Sequence, residues 1–157
     1  MTYYGIENGD TIYMLLFLRG GGSYNFVDFD TTPKEYELSS SSENIHLSIN
    51  DGLNMHGFCK NSNCKCCYKQ VICLIGIGNY DLLKIVSYCP MCKQSIKPFT
   101  CGFYNCSYSI KYKKTNETIE KTQEKHTKKD KYMFYELNNG SGHLANYDFL
   151  QIKTSQL

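Results

Sequence analysis

Two short cysteine pairs, Cys59-x4-Cys64 and Cys89-Pro90-Met91-Cys92, stand 24 residues apart and constrain this chain more than any other feature. A tetrahedral structural zinc site needs four soft ligands, commonly two close pairs on turns, and Cys-x2-Cys is the most frequent such turn. Pro90 fixes φ inside the second pair and stiffens it. The spacing predicts one structural zinc held by Cys59, Cys64, Cys89 and Cys92, with short strands or knuckles around it rather than long helices. The register of the first pair stays open, because in Cys64-Lys65-Cys66-Cys67 either Cys66 or Cys67 could replace Cys64.

The other candidate ligands are weaker. Cys101-x4-Cys106 could complete a second site or simply pack, since free cysteine is among the most buried residues. No histidine lies between the cysteines to make the cross-braced order of a RING finger. His56, three residues before Cys59, could substitute as a ligand but reads first as a turn histidine.

Composition explains why such a staple is expected. The chain has 157 residues, and its 41% hydrophobic fraction leans on 14 tyrosines and nine cysteines, with no tryptophan. The aliphatic core should therefore be small and in need of support. Residues 12–18, IYMLLFL, have the length of a signal-peptide core, but Glu7 and Asp10 precede them and no basic residue does. No other run approaches a membrane span. The expectation is a cytoplasmic or nuclear protein in which an odd number of thiols serves metal binding rather than disulfides. Without an export signal the sequon Asn116-Glu117-Thr118 is a chance match.

Along the chain, Asn8-Gly9-Asp10 signals a turn and residues 11–18 a strand. Residues 23–50 start with Tyr24-Asn25-Phe26-Val27-Asp28-Phe29, alternating enough for a strand, and decay into TTPKEYELSSSSEN, which reads as a linker. Residues 51–157 form the cysteine-rich β domain, interrupted at 113–131 by a charged stretch poor in apolar residues, expected as a flexible loop. Residues 132–137 and 147–152 alternate like strands about the turn at 138–142 and should close the sheet. Charge is uneven: residues 1–50 hold two basic and seven acidic residues, residues 51–157 fifteen basic and eight acidic. The basic half permits nucleic-acid binding, though a solvated surface is the commoner meaning of such a balance. Cysteines and histidines share no local nucleophile signature, and no phosphate loop, zinc-protease helix or complete dinucleotide fingerprint occurs, so the chain does not read as an enzyme.

The front of the chain, YYGIENGDTIYMLLFLRGGG, resembles the carboxyl end of ubiquitin: a Tyr-x-Ile turn, a polar loop, the last β-grasp strand, then Leu18-Arg19-Gly20-Gly21. A glycine tail can thread the narrow cleft of a processing protease or an activating enzyme, and Arg19 supplies a fixed charge there. The resemblance implies that Leu18, Arg19, Gly20, Gly21 and Gly22 form a processing or conjugation tail. A deubiquitinase-like protease would cut between Gly21 and Gly22, or after Gly22. Phe17 stands where ubiquitin has its earlier tail arginine, and Asn8 where it has a chain-forming lysine. Only the last strand of a β-grasp fold is represented, so residues 1–22 read as a remnant of a ubiquitin-like domain.

The stretches GLNMHGFCKNSNC and SYCPMCKQSIKPFTCGFYNCSY are similar to an extension found beside ubiquitin-like domains in some protist and fungal proteins. The expectation is a mostly β chain: a remnant of a ubiquitin-like β-grasp domain at 1–22, a linker at 23–50, and a zinc-stabilised β domain at 51–157. Its function would be that of a modifier precursor or fused protein-binding module, with a processing protease and ubiquitin-pathway proteins as partners. Two rivals remain. One is a zinc-ribbon-like nucleic-acid binder using lysines 60, 65, 69, 93 and 97 with Tyr68 and Tyr104 as stacking platforms. The other is an atypical ubiquitin ligase whose zinc knuckles hold a conjugating enzyme.

Overall fold

The computed structural model describes residues 24–38, 45–137 and 143–157. The ubiquitin-like tail at 18–22 and the turn expected at 138–142 lie outside these residues. The chain is mostly β, with strands β1 (Tyr24–Val27), β2 (Lys34–Glu37), β3 (Gly52–Phe58), β4 (Gln70–Gly76), β5 (Gly78–Asp81) and β6 (Ser87–Tyr88). There follow β7 (Ser95–Ile96), β8 (Pro98–Tyr104), β9 (Cys106–Lys114), β10 (Lys121–His126), β11 (Lys131–Phe134) and β12 (Leu144–Gln156). A single 3-10 turn at Ile45–Leu47 is the only helical element among the described residues, and none of their helices is long and apolar enough to cross a membrane.

Two antiparallel sheets carry the fold. One has the order β1-β12-β9-β10, with β5 also paired to β12; the other runs β2-β11-β8-β3-β4. Strand β9 shows why they form: Cys106, Tyr108, Ile110 and Tyr112 are buried while the residues between them face outward, a period of two. In β12 the phase changes. Tyr147 is buried, and so are Leu150 and Ile152, three and five residues on; the shift in pairing between Tyr147 and Phe149 supplies the extra residue. A bulge thus keeps one apolar face inward along 13 residues.

Between the sheets lies a core that is largely aromatic. Phe26, Phe29, Phe103, Tyr108, Tyr112, Tyr135 and Tyr147 belong to one buried cluster with Leu53, Met55, Leu150 and Ile152. Between β8 and β9 the chain passes from one sheet to the other through a single residue, Asn105, whose φ is 46°. That corner lays Phe103 of β8 flat against Tyr108 of β9, centroids 3.7 Å apart. Gly52 opens β3 at a φ of 92°, and a Cβ there would overlap the backbone of Gly76.

Two expectations for loops need correction. Residues 23–50 contain β1 and β2, and Phe26, Val27 and Phe29 are completely buried. The Tyr147 hydroxyl donates to the Val27 carbonyl at 2.7 Å and accepts the Phe29 N–H at 2.9 Å, binding this segment to the last strand. The charged stretch 113–131 likewise contains the end of β9 and all of β10, which pair through their backbones. Several of its lysines are braces. Lys114 meets Asp28 at 2.7 Å and Asp30 at 2.6 Å, and Lys121 meets Asp30 at 3.0 Å. Burial acts to raise the Asp30 pKa, but hydrogen bonds from Lys114, Tyr112 and Lys121 outweigh it and hold the carboxyl well below the usual range.

Gly102 of β8 lies under the ring of Tyr132 on the neighbouring strand, where a Cβ would overlap the ring. Gly102→Ala is expected to displace Tyr132 and cost about 2–3 kcal/mol as an overpacked core position. Urea unfolding checks this; an unchanged midpoint would show that the ring moves aside freely.

Candidate metal centre

Both cysteine pairs are set by turns at one end of the sheets. Cys59 follows the last residue of β3, and the chain returns to it at once: the Tyr68 N–H donates to the Cys59 carbonyl at 2.6 Å and the Cys59 N–H to the Lys69 carbonyl at 3.2 Å. Between these points, the N–H of Cys64 donates to Asn61 and that of Cys67 to Cys64. The second pair occupies the tight connection between β6 and β7, where the Cys89 N–H donates to Gln94 and the Lys93 N–H to Cys89, each at 2.9 Å.

This folding brings together all four sulphurs expected from the sequence. Cys59 Sγ lies 3.7 Å from Cys92 Sγ, Cys64 Sγ lies 3.9 Å from Cys89 Sγ, and all four are within 4.8 Å of one another. The two knuckles repeat a detail: the Cys66 N–H points at Cys64 Sγ at 3.3 Å and the Met91 N–H at Cys89 Sγ at 3.4 Å. The cluster could hold a metal ion, and its donor set is entirely soft.

Cys59 and Cys89 are buried while Cys64 and Cys92 are half-exposed. The electrostatics follow that division. Burial pushes the Cys59 thiol up to about 12, whereas the Asn61 side chain, followed by the Gln94 backbone, draws Cys92 down to about 6. Burial and hydrogen bonding thus push these two thiols in opposite directions.

The remaining cysteines separate cleanly from these four. Cys66 packs behind the sulphurs with Val71 and Ile96, and Cys67 forms an isolated backbone bridge with Cys59, so the first pair is Cys59 with Cys64. Cys101 and Cys106 are buried in the aromatic core. The half-buried Cys73 accepts the Tyr88 N–H at 3.4 Å, tying β4 to β6.

His56 is not in a turn; it is buried in the middle of β3, with both ring nitrogens engaged. The Gln70 amide donates to Nδ1 at 2.9 Å, which leaves the proton on Nε2 to be donated to the Tyr132 hydroxyl at 2.6 Å. Tyr132 is 76 residues away, so nothing local in the sequence marked this chain of hydrogen bonds. Asn61, whose side chain hydrogen-bonds Cys92, had a readable signal in its place inside a cysteine knuckle.

Lys93 closes the second knuckle at a φ of 64°, a left-handed conformation that only glycine adopts without cost. Lys93→Gly is expected to raise stability by about 1 kcal/mol, the relief of strain being partly offset by the freer unfolded chain. Thermal unfolding of the metal-loaded protein measures it, and a lower midpoint would mean that the lysine stem packs on the knuckle.

Compared with family models, curated proteins and solved structures, the chain gives no match.

Proposed function

We propose that this chain is the carboxyl part of a ubiquitin-like fusion protein, whose folded unit is a non-catalytic binding module stapled by one structural zinc. The observation that carries the zinc is the sulphur geometry. Four ligands at about 2.3 Å from a tetrahedral zinc stand about 3.8 Å apart, the range in which Cys59–Cys92 and Cys64–Cys89 lie. Four protein ligands fill the coordination sphere, the arrangement of a structural rather than a catalytic site. Cytoplasmic or nuclear thiols would keep the cysteines reduced and ready to bind.

The tail reading is compatible with the position of β1. The first residue of β1 is Tyr24, so a cut between Gly21 and Gly22, or after Gly22, would leave that strand whole with its buried Phe26 and Val27. A deubiquitinase-like protease would release the zinc module without unfolding it.

Intact mass of the endogenous protein tests both halves. The expected result is a chain that starts at Gly22 or Ser23 and loses about 65 Da on acidification as one zinc leaves. A metal-free chain retaining residues 1–22 overturns the proposal.

A further inference from the structure

The sixteen lysines all lie in the described residues and divide into eight in ion pairs and eight outside them, of which Lys125, Lys129 and Lys153 stand on β10, the β10–β11 turn and β12. The paired eight meet carboxylates at positions spread over both sheets. Lys60, Lys65, Lys69, Lys93 and Lys97 are all exposed and make no ion pair among the described residues. The reason is in the composition of their surroundings: between residues 52 and 116 the chain has a single acidic residue, Asp81.

These five converge on the metal centre. Lys60, Lys65 and Lys93 each follow a clustered cysteine directly, so the sulphur geometry draws their backbones together. Lys69 is bonded to Cys59 through its carbonyl, and Lys97 sits against Gly57 at the same end of β3. A zinc held by four thiolates carries two net negative charges, which offset part of this field but leave a balance of about three positive charges around the site. Such crowding is unfavourable in the free protein and becomes favourable against a polyanion.

Flat side chains are interleaved with the charges. Tyr68 is 55% exposed and held at a φ of 60°, uncommon for so bulky a residue, by its N–H bond to Cys59. Tyr88, next to Cys89, is 49% exposed. Tyr104, the other platform expected from the sequence, ends β8 at the pole away from Pro98 and does not share this surface. The tip consists of turns and two-residue strands, with no helix or long ribbon to enter a duplex groove. Exposed ring faces suit unstacked bases instead.

We infer that the metal tip binds single-stranded nucleic acid, holding phosphates with Lys60, Lys65, Lys69, Lys93 and Lys97 and stacking bases on Tyr68 and Tyr88. This deepens the reading of a zinc-stapled binding module by naming its partner, and it does not depend on the ubiquitin-like tail. Binding is tolerant of sequence, because the sole arginine of the chain is Arg19 and lysine acts on phosphate as a point charge without bidentate base readout.

The test is fluorescence anisotropy of the full chain with a labelled oligouridylate of about 12 nucleotides. Five phosphate contacts predict an affinity loss of about a hundredfold between about 50 mM and 200 mM salt. Lys60→Gln, Lys65→Gln and Lys93→Gln together lower affinity at least about tenfold, and Tyr68→Ala alone lowers it about fivefold or more. Lys125→Gln, Lys129→Gln and Lys153→Gln make the same charge change away from the tip and leave affinity nearly unchanged. Equal losses in both triple variants, or equally tight binding of duplex RNA or polyglutamate, overturn the inference. Native mass of each preparation separates the failures. Zinc-loaded protein that ignores the oligonucleotide overturns the inference alone; protein without metal overturns the zinc reading and this inference with it.

Discussion

Cys89→Ser is expected to abolish zinc binding and unfold the metal tip while both sheets remain standing. The separation of the two buried clusters is the reason. Cys59, Cys66, Val71 and Cys89 form the small one, and it shares no residue with the aromatic core of Phe29, Phe103, Tyr108 and Tyr135. Zinc at four thiolates contributes on the order of 10 kcal/mol of apparent binding free energy at neutral pH, which becomes folding free energy because the unfolded chain rarely holds a preformed site. That energy is spent locally, on ordering the turns of the two knuckles. Hydrogen exchange reads the difference residue by residue: the amides of Tyr68, Cys64 and Lys93 should lose at least a hundredfold in protection, while those of β9 and β12 keep theirs. Cooperative loss of the whole structure would show that the aromatic core needs the metal after all.

Acid should weaken the fold through His56. Burial lowers its pKa to about 3 from an ordinary 6.5, because the charged imidazolium would lie among Phe134, Tyr132 and the β3 backbone away from water. Between those two values the unfolded chain binds a proton that the folded chain refuses, so stability is complete above pH 6.5 and falls as pH drops toward 3. The slope approaches about 1.4 kcal/mol per unit, which makes the loss about 3 kcal/mol at pH 4.5. Acid also releases metal by protonating thiolates, and the two effects must be separated. Denaturant midpoints of wild type and His56→Gln across this range do so, since metal loss is common to both and only the wild type has the additional slope. Parallel curves would mean that the imidazole charges in place.

Much of the metal centre was legible from spacing. Cys89-Pro90-Met91-Cys92 and Cys59-x4-Cys64 named all four clustered sulphurs, because a knuckle is a local turn and its ligand order survives in the linear chain. Strand β9 was equally open to reading, as Cys106 to Tyr112 alternate on their own. The loop expectations at 23–50 and 113–131 failed for a shared reason. The alternation at Tyr24 to Phe29 did mark β1, but β2 and β10 are short, bury almost nothing, and exist because a distant partner supplies their hydrogen bonds. No composition rule sees that partner.

By itself, the sequence determined the β character of the chain, the soft ligand set and the lysines beside it, since these depend on residue type and near spacing. Only the tertiary structure decided which cysteines remain in the core, that His56 is enclosed between Gln70 and Tyr132, and that Lys60, Lys65, Lys69, Lys93 and Lys97 stay exposed. Those outcomes depend on contacts between segments tens of residues apart, and their energies arise from desolvation and charge proximity that exist only once the sheets have closed.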